Sequence, residues 1–218
     1  MSETDEAKFY SPQEERINIL SHALGLVLSI VAVALLVAYA CRHGNLMHVL
    51  SFGVFGASLI ILYASSTLYH STTDPKRRVR FRILDHAAIY VLIAGTYTPI
   101  MLVILGGSLG WLMFSISWGL ALTGIVLKLF FTGKYSHAST AMYVFMGWLI
   151  VFAIKPLINN FSAEGLWWLF AGGMAYTAGA IIYSFKKIKF HHAIFHVFVL
   201  LGSACHFVSI YYYVLPAA

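Results

Sequence analysis

Apolar positions in this chain fall in long runs, and polar residues gather where the runs end. Seven runs approach the roughly 20 residues that a helix needs to cross a bilayer. They cover residues 17–40, 47–70, 83–105, 111–131, 138–157, 166–185 and 192–213. The fifth is the weakest, because Lys155 and Pro156 close it early. The connections are short, with no internal repeat and no low-complexity tract. The pattern predicts an all-α polytopic membrane protein: an N-terminal tail, residues 1–16, then one seven-helix transmembrane domain, residues 17–218. Inside the third run, Gly95-Thr96-Tyr97-Thr98-Pro99 places a proline that lacks a backbone donor, which predicts a kink or loosening. Gly172, Gly173 and Gly179 predict close helix contact in the sixth run.

Composition sharpens this reading. Apolar residues make up 60% of the chain and charged residues only 10%, against about 25% charge in a soluble domain. The first sixteen residues carry Glu3, Asp5, Glu6, Glu14 and Glu15 but only Lys8 and Arg16, so no cleaved signal peptide is expected. Cys41 and Cys205 make neither a CxxC pair nor a disulfide framework.

A pI near 9.3 would suit nucleic acid, but the basic residues sit at the ends of apolar runs, which is the pattern of membrane topology. With the N-terminus in the cytoplasm, the inner regions hold Lys8, Arg16, Lys76, Arg77, Arg78, Arg80, Arg82, Lys128, Lys134, Lys186, Lys187 and Lys189. The outer regions hold only Arg42 and Lys155. The expectation is therefore a cytoplasmic N-terminus and an external C-terminus. Trp111, Trp167, Trp168 and Tyr211-Tyr212-Tyr213 then fall at the outer interface, where amphipathic rings settle.

On that topology the polar groups inside the membrane meet at one depth. Ser66 and His70 are four apart at the inner end of the second run, Asp85 opens the third, and His192 and His196 open the seventh. Residues four apart share a helix face, and ionisable groups within a membrane need partners. Three imidazoles and a carboxylate match the ligands of a catalytic zinc site, with His70, His192 and His196 as ligands and one position open to water. Asp85 could bind the metal directly or hold that water as a base, and Ser66 could hydrogen-bond the same water or a substrate carbonyl. Ligand type alone leaves iron and manganese open.

His43 and His48 read as outer-loop residues and His137 as an inner boundary residue. His86 and His191 fall about 100° around their helices from the proposed set. His206 lies deeper and has no assigned role. Glu15, Asn18 and His22 enter from the same inner side at helical spacing, either as a polar helix start or as part of the site.

The spaced set Glu15-x-x-Asn18-x-x-x-His22, Ser66-x-x-x-His70, Asp85 and His192-x-x-x-His196 resembles the signature of the progestin and adipoQ receptor family, in its bacterial hemolysin III-like branch. The resemblance runs from the first helix to the last. It implies seven helices with an inner N-terminus, residence in the inner membrane of a bacterium, zinc on His70, His192 and His196, and Asp85 and Ser66 close to the water. Members of that family and the related alkaline ceramidases are implicated in hydrolysing the amide bond of ceramide-like lipids, so a membrane lipid amide is the implied substrate. This chain lacks the large soluble N-terminal domain of the hormone receptors, and nothing in it reads as a secreted pore-forming toxin. A membrane-state sensor with structural zinc is the alternative. A transporter is disfavoured, because no matched pair of broken helices is visible.

Overall fold

The computed structural model describes residues 7–131 and 135–215, without the side chain of Ser136. Glu3, Asp5, Glu6, Lys134 and the last three residues therefore lie outside the described residues. All described elements are helical, and seven spans are long and apolar enough to cross a membrane.

The helices begin where caps place them, and this shifts two expected boundaries. Helix α1 runs Pro12–His43, five residues earlier than hydropathy predicts. Ser11 caps it, its hydroxyl accepting from the Glu14 amide at 3.3 Å. Pro12 sits at a position that needs no donor, and Glu14 and Glu15 face the positive end of the helix. Helix α2, Leu46–Ser71, starts in a capping box on Asn45. Helix α3, Pro75–Pro99, starts with the Asp74 carboxylate accepting from the Arg77 amide at 2.7 Å. The basic stretch 74–82, which the hydropathy leaves between the second and third apolar runs, forms the cap and start of this helix, with Arg78 and Arg82 buried.

Pro99 does not end the third span. The chain continues as a π-helical stretch, Ile100–Leu105, closed by the Gly106 amide donating to the Met101 carbonyl at 3.0 Å. Widening of the turn where Pro99 offers no donor is the loosening expected there. Helix α4 follows, Gly107–Phe131.

The fifth span is broken, though not at Pro156. Helix α5, Ser136–Gly147, gives way to a 3₁₀ turn, Leu149–Ala153, and then to α6, Ile154–Asn160. Pro156 is in the first turn of α6, where no intrahelical partner is lost. The break falls where the Tyr97 hydroxyl donates to the Gly147 carbonyl. Helix α7 runs Ala163–Ser184 and α8 His191–Ser209, ending in a second π-helical stretch, Ile210–Val214.

The helices close a ring in which α1 packs on α2 and α8, α2 on α3, α3 on α4, and α7 on α8. Helix α3 is the most buried span. Leu24, Val27, Leu28 and Val31 of α1 are exposed, as expected of a face towards lipid tails. Gly179 does bring helices close, a Cβ there meeting Phe198 Cβ at 2.8 Å. Gly172 lies against the His206 ring, whereas Gly173 has only Trp148 near it, at 3.9 Å, and lines a cavity. Cys41 and Cys205 are free thiols.

Candidate metal centre

Antiparallel neighbours bring the C-terminal end of α2 and the N-terminal ends of α1, α3 and α8 to one end of the bundle. Helix α8 starts abruptly after Phe190, whose φ of 59° lies in the left-handed region and costs a non-glycine residue about 1–2 kcal/mol. The first turns of α8 then present His192 and His196 to His70 of α2.

The three imidazoles converge. His192 Nε2 lies 3.0 Å from His70 Nε2 and 3.1 Å from His196 Nε2. Together the three residues offer ligand atoms within 4.8 Å of one another, and all three are buried. Their hydrogen-bond partners assign the tautomers. His70 Nδ1 donates to Glu15 Oε2 at 2.7 Å, which leaves a lone pair on its Nε2. The Ser21 hydroxyl donates to the Asn18 carbonyl at 3.1 Å, so Ser21 Oγ accepts from His196 Nδ1 at 3.3 Å. His196 Nε2 therefore also carries a lone pair. One proton on His192 Nε2 can serve only one of these two neighbours, whereas a cation serves all three nitrogens.

This donor set fits a metal. Tetrahedral zinc with bonds of about 2.0–2.1 Å holds its ligand nitrogens about 3.3 Å apart, close to the separations seen. Buried polar atoms without partners also collect here. Among the described residues they include both ring nitrogens of His22, Ser66 Oγ and His192 Nδ1. Such groups are rare in folded proteins and point to a ligand, ion or water.

A shell of residues fixes the set. Glu15 holds His70 and pairs with Arg78. Arg78 is buried and donates to the carbonyls of Lys8 at 2.7 Å, Tyr69 at 3.1 Å and Thr72 at 2.9 Å. It thereby ties the segment before α1 to the end of α2. That segment lays Tyr10 flat on His192, with ring centres 4.7 Å apart. From the other side His22 stacks on His196 at 3.5 Å. Burial pushes the Tyr10 hydroxyl well above its ordinary range, so it stays protonated. Burial, and then Arg82, lowers Lys8, while burial, and then Lys8, brings Lys186 down to about 8.

Asp85 is buried beside His70 and next to Ser66, but falls outside the group of three nitrogens. It faces a cavity of about 630 Å³ whose wall also contains His22, His192 and His196. The cavity is mostly apolar and follows the gap between α3, α5, α7 and α8 as far as Leu157 and Trp167. His86, expected to turn away from the site, lines the same cavity.

Glu15, Asn18 and His22 thus belong to the site's surroundings rather than to a solvated helix start. Sequence reasoning did not single out Tyr10, Ser21 or Arg78 for the site. Arg78 alone carried a signal, as one cation of a run; the position of Tyr10 depends on the chain folding back over α8.

A family model described as "Haemolysin-III related" matches residues 10–207. The chain is 48% identical to "Hemolysin-3" of Bacillus cereus over 206 residues, 94% of each chain. It is 47% identical to "Hemolysin-3 homolog" of Bacillus subtilis (strain 168) over 204 residues, 94% of this chain and 96% of the other. A human relative, "Monocyte to macrophage differentiation factor", is 28% identical over 92% of this chain and 84% of its own.

Proposed function

The chain belongs to the haemolysin-III related family, the bacterial branch of the progestin and adipoQ receptor family, and on that premise we propose that this multi-pass membrane protein is a zinc-dependent lipid amide hydrolase. The substrate is a ceramide-like N-acyl lipid drawn from the membrane, and the zinc ligands are His70, His192 and His196. One observation carries the reading. A cluster of lone pairs that calls for a cation shares a wall with an apolar cavity of about 630 Å³, within the usual size range of ligand sites.

Zinc in this site would polarise the scissile carbonyl and lower the pKa of water towards 7. Glu15 holds the His70 ring with Nε2 directed inward, and the Ser21 hydroxyl does the same for His196. The cavity wall takes the acyl chain and keeps bulk water from the amide. Asp85 accepts the proton of the attacking water as the new C–O bond forms. It returns that proton to the amide nitrogen as the C–N bond breaks, leaving a free fatty acid and an amine. Ser66, buried next to Asp85 with its hydroxyl free, positions the attacking water or the oxyanion.

The test is release of free fatty acid from a short-chain ceramide by purified protein with zinc saturating. Asp85→Asn keeps the shape but accepts no proton, and loss of a general base costs about 10²–10⁴-fold. The parent is expected to release fatty acid above a His192→Ala control, and Asp85→Asn to lose turnover at unchanged zinc content. Equal release by the parent and the control across amide and ester lipids rejects the hydrolase. It would favour the alternative, a regulator of membrane state clamped by its metal.

A further inference from the structure

We propose that His206 is a recognition point for a hydrogen-bond donor carried part-way along the lipid chain, most simply a hydroxyl. The inference rests on the reading that the cavity holds a lipid chain. His206 lies ten residues beyond His196 on α8, about 15 Å deeper at 1.5 Å per residue. It is 5% exposed and lines the cavity. Its Nδ1 is 2.7 Å from the Gly202 carbonyl, which can only accept. The ring proton is therefore on Nδ1, and Nε2 presents a lone pair.

Nε2 has no partner among the described residues, while the polar groups around it are engaged. The Tyr63 and Tyr176 hydroxyls lie 2.7 Å and 2.9 Å from Ser203 Oγ. The Thr177 hydroxyl donates to the Gly173 carbonyl at 2.7 Å and accepts from Trp148 Nε1 at 3.0 Å. The ring is also held in place. It stacks on Tyr176 with centres 5.1 Å apart and planes 16° apart, and Gly172 leaves the room that a Cβ would fill.

An apolar side chain would pack there as well without carrying an unmet acceptor into the membrane, where ionisable residues mark function by default. A chain hydroxyl satisfies Nε2. A plain methylene leaves it unmet, and a keto oxygen opposes it lone pair to lone pair. A chain that covers this acceptor without meeting it loses about tenfold in affinity.

The probes are stearate, a stearate hydroxylated near mid-chain and the matching mid-chain ketone. Each competes with a fluorescent fatty acid for the purified full chain in nanodiscs. His206→Phe keeps the stack on Tyr176 and removes the acceptor; His206→Gln returns an acceptor near the place of Nε2. The parent is expected to bind the hydroxylated acid about tenfold more tightly than the other two. Phe should abolish that preference without weakening plain stearate, and Gln should restore part of it. Equal binding of plain and hydroxylated acids by the parent, or a preference that survives in Phe, overturns the role of His206 while the cavity reading stands. If no acid displaces the probe, the cavity reading and this inference both fail.

Discussion

Glu15 offers the sharpest test of how the site is held together. Its Oε2 accepts a hydrogen bond from His70 Nδ1 at 2.7 Å, and its Oε1 accepts from the Tyr10 amide at 3.0 Å and pairs with Arg78. Glu15→Gln keeps the size but removes the charge that orients His70. Partners of this kind cost about 10–100-fold in metal affinity when changed, or about 1.4–2.7 kcal/mol at 1.36 kcal/mol per tenfold. Glu15→Ala is a different perturbation. It leaves buried Arg78 and the Tyr10 amide with no acceptor at all from residue 15, and breaking a buried pair outright costs about 3–5 kcal/mol, so it should lower stability more than Glu15→Gln, with or without metal. The assay is a zinc titration of purified protein against a chromogenic chelator, paired with melting curves in excess zinc and in chelator. Gln, which keeps an acceptor oxygen but loses the charge facing Arg78, should melt between the parent and Ala in chelator, bind zinc about 10–100-fold more weakly, and gain less from added metal. If Gln holds zinc within about twofold of the parent while His70→Ala loses it, Glu15 does not support the ligand and this account of the shell is wrong.

Two further outcomes are expected. The charge distribution predicts a cytoplasmic segment around Lys186–Lys189 and an external C-terminus, so a reporter active only in the cytoplasm should be silent when fused after Ala218; full signal there reverses the topology. Tyr10 stacks on His192 at 4.7 Å, a contact worth about 0.5–1.5 kcal/mol, so Tyr10→Ala should release zinc to a chelator about 2–10-fold faster than the parent, and an unchanged rate would mean that the segment before α1 does not cover the site.

How much was legible in the sequence differs from place to place. The ends of α2 agree with hydropathy to within one residue, because its apolar run and its helix coincide. The starts of α1 and α3 were placed too late. Their first turns are charged, and hydropathy assigns such residues to water, yet Glu15 and Arg78 are satisfied by each other and by His70 inside the bundle. The break in the fifth span was not readable at all, since it depends on a tyrosine of α3 reaching the Gly147 carbonyl. The grouping of His70, His192 and His196 was legible because spacing of four puts residues on one face and topology sets their depth. The cavity was not, because a gap between helices depends on how far α5 and α6 stand from α3, and no local pattern encodes that distance.

The central claim is that three imidazoles from α2 and α8 hold zinc, and elemental analysis of purified protein tests it most directly. The account predicts one zinc per chain in the parent, unchanged in a His43→Ala control. His70→Ala, His192→Ala and His196→Ala should each lose the metal and melt earlier, because metal binding adds to folding stability. Substoichiometric zinc in the parent, or undiminished zinc in those three variants, would contradict it.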